Sequence, residues 1–153
     1  MTLELYDMTK MHPYNLMGML IKKTLLCGII NNYPIRRLAV PFESIDMYLN
    51  NNREIRVYIK DPELNIVNVS GATGIFTLKQ TKDKPVIFSK STAISGQGTI
   101  GSPDQGELIF YIKPEDTIDL DSRQYVFDVR LILGSGDTYT VLEGVINLQQ
   151  PVN

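Results

Sequence analysis

His12 and Cys27 are the only histidine and the only thiol in the chain. They are the one pair that could supply a nucleophile and its general base. They stand fifteen positions apart in an apolar stretch, with no third residue placed to orient the imidazole. Cys27 lies between Leu26 and Gly28 and reads as a small buried hydrophobe. Two such residues also fall short of a zinc ligand set. Glu115, Asp116, Asp119 and Asp121 form the one acidic cluster. Their spacing suggests a calcium loop, but the glycine of the sharp turn and the closing bidentate glutamate are missing. Pro114 at the head of the cluster, with acids behind it, instead makes a helix start. Gly96-Gln97-Gly98-Thr99-Ile100-Gly101 has some of the glycine spacing of a dinucleotide cradle but leads into no helix, so it reads as a flexible loop. No pair of carboxylates is singled out for glycoside hydrolysis. The expectation is a protein that is not an enzyme, with no catalytic residue, no cofactor and no metal.

The elements that hold these residues are strands. Tyr125, Phe127, Val129, Leu131 and Leu133 alternate with Val126, Asp128, Arg130 and Ile132, the period of two of a half-buried strand. The turn Gly134-Ser135-Gly136-Asp137 follows, and Tyr139 to Leu148 makes the return strand. Further strands are predicted around Ile55–Ile59, Ile75–Lys79, Val86–Lys90, Thr99–Ile100 and Leu108–Ile112, separated by Gly, Pro and Asp turns. About seven short strands in about 100 residues predict an all-β fold, an immunoglobulin-like antiparallel β-sandwich. In that fold a tyrosine near the start of one strand bonds back to the corner before it. Tyr125, with Leu120 in the corner, fits that place. Phe127 falls where an antibody domain has its second cysteine, so packing alone must hold this core.

The composition shifts near Asn50-Asn51-Asn52. All six Met residues precede it, and nine of the eleven Gly follow it. Residues 1–52 carry five basic and four acidic residues, and 53–153 carry ten and thirteen. These numbers divide the chain into an N-terminal extension (1–52), a sandwich (53–150) and a short tail (151–153). The apolar residues of the extension, Met17, Met19, Leu20, Leu25, Leu26, Ile29 and Ile30, follow neither the helix nor the strand period. Two readings stand: extra elements packed on the sandwich, or an arm that docks on another subunit. Met-rich segments adapt to irregular partner surfaces, which suits the second.

The chain has 153 residues, 43% of them hydrophobic and 21% charged, with a net charge of −2. That describes a foldable chain and gives no cause to expect nucleic acid as a partner. Glu4 and Asp7 stand where a signal peptide would be basic, and Lys22 and Lys23 break the most apolar run, so neither a secretory leader nor a membrane span is expected.

Several runs carry a family resemblance: NVSGATGIFTLKQ, VIFSKST, GELIFYIKPEDTIDLDSRQYVFDVRLI and GDTYTVLEGVINL. Together, over about residues 53–150, they resemble the Ig-like domain of tailed-bacteriophage virion structural proteins. The matching pieces are Asn68 to Thr73, Pro114 to Leu120, Tyr125 to Val129 and Tyr139 to Gly144. The sequence departs from the family pattern at Val69-Ser70 and at Phe127. The resemblance implies a virion component assembled in the host cytoplasm, a homo-oligomer with other virion proteins as partners. A tail, baseplate or fibre-attachment part is the leading expectation, and a head decoration or neck protein the alternative. A second alternative is a carbohydrate-binding adhesin that uses Ser95 to Gly106 and Gly134 to Asp137 at one end of the sandwich.

Overall fold

The computed structural model describes residues 40–61 and 63–152. Among them are eight strands: β1 (Phe42–Tyr48), β2 (Arg53–Tyr58), β3 (Thr73–Lys79), β4 (Val86–Ser91), β5 (Gly98–Ile100), β6 (Glu107–Ile112), β7 (Gln124–Ile132) and β8 (Thr138–Gln149). A 3₁₀ turn, Pro103–Gln105, precedes β6, and a single helical turn, α1 (Pro114–Thr117), follows it. The strands form two sheets, ordered β1-β8-β7-β3-β4 and β2-β6-β5. This order is immunoglobulin-like. β2, β6 and β5 take the places of strands B, E and D, and β3, β7 and β8 those of C, F and G, with β4 added beside C.

The alternating residues meet between the sheets. Phe76 on β3, Phe127 on β7 and Phe110 on β6 are buried, together with Leu78, Leu108, Ile112, Val129 and Ile146. Phe76 and Phe127 stack at 5.3 Å between ring centres, and Phe76 tilts against Phe110 at 5.8 Å. In an antibody domain a tryptophan on strand C packs on the disulfide. Here an aromatic stack across β3 and β7 fills that place, and the chain has no tryptophan.

β1 departs from the boundary drawn at residue 53. It pairs with β8 from Phe42↔Glu143 to Tyr48↔Gln149 and buries Met47, with Leu49 just beyond it. The sandwich therefore begins before the asparagine run. Asn50-Asn51-Asn52 is the turn that carries the chain from one sheet to the other. Asn50 adopts a left-handed φ of 59°, a conformation Asn tolerates, and its N–H donates to Thr117 Oγ1 at 3.0 Å. The β1–β8 pair is parallel, whereas the other strand pairs of the two sheets are antiparallel. The pairs within residues 53–150 are antiparallel, as expected, and β1, which precedes that range, adds a parallel one. A crossing between sheets lets β1 run alongside β8 with no hairpin between them. Met17, Met19, Leu20, Leu25, Leu26, Ile29 and Ile30, like His12 and Cys27, lie outside the described residues.

Candidate functional site

Tyr125, at the start of β7, is buried, and its hydroxyl sits at the corner before the strand. The hydroxyl accepts from the Asp121 N–H at 3.0 Å and donates to the Asp121 carbonyl at 3.1 Å. Leu120 packs against the core beside it. Phe127 faces inward, two positions along. These three residues are architecture: they fix where β7 leaves the corner and therefore which side chains β7 shows to the outside.

The acidic cluster is also part of the corner. Asp116 pairs with Lys90 of β4 at 2.6 Å, and its Oδ2 accepts from the Lys113 N–H at 2.7 Å. A carboxylate that closes the first turn of α1 and neutralises a buried lysine is already committed. Among the described residues no group of three or more His, Cys, Asp or Glu could hold a metal ion. The glycine segment Ser95 to Gly106 does not form one loop at one end. The Gln97 carbonyl accepts from Tyr111 N–H, and the Cα of Gly96 faces the Lys113 side chain, at the α1 end. Pro103 instead accepts from Val69 N–H, and a Cβ on Gly134 would lie 3.7 Å from the Gly71 carbonyl. The segment thus spans both ends of the sandwich, and only its second half joins the Gly134–Asp137 hairpin.

The remaining chemistry lies on the outer face of the five-stranded sheet. Cross-strand register sets out its rows. One row runs Phe42, Glu143, Asp128, Thr77, Ser89 from β1 to β4. A neighbouring row runs Ser44, Val145, Val126, Lys79, Val86. A third is stitched by side chains: Gln124 Nε2 donates to Asn147 Oδ1 at 2.9 Å, and Asn147 Nδ2 donates to Asp46 Oδ1 at 2.8 Å.

The first row differs from the stitched one. Thr77 is only 4% exposed although it points outward, and its Oγ1 has no hydrogen-bond partner among the described residues. Asp128 Oδ1 is likewise buried without a hydrogen bond. Its nearest cation is Arg130 Nε at 3.7 Å, too long for a hydrogen bond. Burial pushes the Asp128 carboxyl above the usual carboxylate range, and this outweighs the lowering pull of Arg130 and Lys79. Glu143 stands opposite on β8 and is engaged by Lys82 Nζ at 2.9 Å. Thr77, Asp128, Lys79, Lys82, Val126 and Glu143 line a shallow depression of about 160 Å³. Phe42, at the edge of the row, is 64% exposed. Leaving two polar oxygens buried and unbonded costs about 1–3 kcal/mol each. They are side by side in one row, with Glu143 between them and the exposed Phe42 ring. Sequence reading passed over Thr77 and Asp128 because an alternating strand shows which residues face outward, not which of them their neighbours cover.

No family model and no curated protein matches the chain. Among solved structures it is similar to CopC from Methylosinus trichosporium OB3b, at 10% identity over 72% of this chain and 89% of that one, with a TM-score of 0.39. It is similar to the ZIG-8 IG1 homodimer at 6% identity over 78% and 87%, with a TM-score of 0.33. It is also similar to a structure of VGSC β subunits, at 10% identity over 76% and 98%, with a TM-score of 0.38. The fold is Ig-like; that assignment rests on the strand order and the corner, and these likenesses add nothing about function.

Proposed function

We propose that this protein is a non-enzymatic structural component of a tailed-phage virion, a tail, baseplate or fibre-attachment part. It docks on neighbouring subunits through the outer face of its five-stranded sheet and through the residues before 40. The observation that carries this reading is the outer face itself, where Phe42 is 64% exposed at one margin, Val86 is 51% exposed at the other, and the half-buried Val126 and Val145 lie between them. Apolar side chains left uncovered on a sheet face gain by burial against a partner. The resemblance of residues 53–150 to virion Ig-like domains supplies the setting. The test is co-expression with the proteins encoded beside its gene. A complex of fixed stoichiometry with tail or baseplate proteins is expected. A complex with head proteins would move the chain to the decoration or neck role. Absence of any complex would overturn the reading.

A further inference from the structure

We propose that Leu64, at the tip of the loop between β2 and β3, anchors a second docking site and seats in an apolar socket, rimmed by basic side chains, on a neighbouring protein. The inference rests on the reading of the chain as a docked subunit and adds a contact apart from the outer sheet face. The loop opens as a narrow hairpin that continues β2. Lys60 bridges Ile66, the Asp61 N–H donates to the Asn65 carbonyl at 2.9 Å, and the Leu64 N–H donates to the Asp61 carbonyl at 2.9 Å. Three residues therefore close the loop, and the last of them, Leu64, takes a left-handed φ of 70°. Hairpin loops of this length favour glycine at that position, because a Cβ is strained in that conformation. Among the described residues the other non-glycine with a positive φ is Asn50, a type that tolerates it. The strain at Leu64 brings the fold little packing in return, since the residue is 71% exposed. A bulky apolar side chain held in a strained turn and offered to water points to a role outside the fold.

The surroundings of Leu64 set the chemistry of the partner. Tyr58 and Lys60 flank the buried Ile59, and Ile66 lies opposite Lys60, so Tyr58 and Ile66 share the outer side of the ribbon. Both are about half exposed, and with Leu64 they make an apolar knob. The rim of the knob is acidic. Glu63 is exposed at the tip, and the Asp61 carboxylate beneath it accepts from the Glu63 and Asn65 N–H groups. Asp104 is exposed on the 3₁₀ turn, which meets the ribbon where Gly106 packs on the backbone of Ile59 and Val67. Against these three acids stands Lys60. An apolar knob inside an acidic rim complements a basic-rimmed socket and is repelled by an anionic lipid surface. The position suits a subunit contact. β1 runs toward α1, where Asn50 meets Thr117, and β2 runs back, so the loop lies at the end from which the chain enters the fold. That is also the end from which the residues before 40 depart.

Binding kinetics of the full 153-residue chain with the proteins encoded beside its gene, measured together with thermal unfolding of the free chain, test the proposal. Leu64→Asn should weaken the complex about thirtyfold, as loss of an anchor does, and raise the melting temperature of the free chain by about 1–3 °C as the strain is relieved. Leu64→Ala should weaken it as much without that rise, because its Cβ keeps the strain. Glu63→Lys combined with Asp104→Lys should slow association and leave dissociation nearly unchanged. Wild-type affinity in either Leu64 variant, or a melting temperature that does not rise in Leu64→Asn, overturns the proposal and leaves the docked-subunit reading standing. No complex with the wild-type chain overturns both. Self-association of the wild-type chain, or its binding to phosphatidylglycerol vesicles, that Leu64→Asn abolishes would overturn the basic-rimmed socket as the occupant.

Discussion

At the scale of single residues, the two ends of β7 show opposite uses of a polar group. The Tyr125 hydroxyl is spent wholly on Asp121, donating to its carbonyl and accepting from its N–H. Tyr125→Phe leaves both backbone groups unsatisfied at the corner and should cost about 1–3 kcal/mol, read as a lower urea midpoint at unchanged slope. An unaltered midpoint would show that the corner stands without it. Asp128 is the reverse case, a half-buried carboxyl with one oxygen, Oδ1, that the fold covers and does not hydrogen-bond. Its folded-state pKa is raised, by burial first, above the ordinary value of 3.8. Such a group stabilises the native state fully below 3.8 and loses that contribution as pH rises through the raised value. Asp128→Asn should therefore melt at or above the wild-type temperature at neutral pH, with the gap closing as pH falls toward 3.8. Thermal unfolding followed against pH measures this, and a variant that is less stable at neutral pH would mean the ionised carboxylate supports the fold.

At the scale of elements, most strands were legible, because a Gly, Pro or Asp turn stands beside each alternating run. Ile75–Lys79, Val86–Lys90 and Tyr125–Ile132 all lie in the strands expected of them. β1 was not legible. In Phe42-Glu43-Ser44-Ile45-Asp46-Met47-Tyr48 the inward positions begin with Glu43 and the outward ones with Phe42, so hydrophobic alternation marks the wrong face until Ile45. Its partner is about a hundred positions away, so no local turn announces it. The contact it makes is close. A Cβ on Gly144 would strike the Glu43 carbonyl oxygen and approach Phe127 Cε1 to 2.7 Å. Gly144→Ala should therefore push β1 from β8 at a cost of about 1–3 kcal/mol, seen as a lower melting temperature and faster amide exchange along β1. Protection of β1 that equals the wild type would contradict this packing. Truncation separates the same element from what precedes it. A chain beginning at residue 40 keeps every β1–β8 pair, whereas one beginning at residue 51 loses β1, Met47 and Leu49. The first should unfold cooperatively near the wild-type temperature and the second well below it. Equal melting of the two would show β1 to be dispensable.

At the scale of the whole molecule, an all-β sandwich with an immunoglobulin-like order was readable from strand count, turn chemistry and the Tyr125 corner. The docking face was not. Whether an outward Thr or Asp is bonded depends on five strands meeting in register, and neighbours such as Glu143 and Thr77 come from distant parts of the sequence. The shift in composition at Asn50–Asn52 was read as a domain boundary because turn residues and linker residues are the same types. In the fold it is a crossing between sheets. What that corrected boundary adds is that the first described strand and the last are bonded side by side.

The parallel course of β1 and β8 has a mechanical consequence. The chain comes in at residue 40 beside Glu143 and leaves past Gln149, next to Tyr48, at the other end of the same ladder. Tension applied between those two points drags the strands past one another along their length. The hydrogen bonds of the seven paired positions then share the load and must break together, where a hairpin would open one rung at a time. A subunit joined to its neighbours at both ends would thus carry force through its strongest geometry, with Gly144 leaving room for the Glu43 carbonyl of the strand beside it.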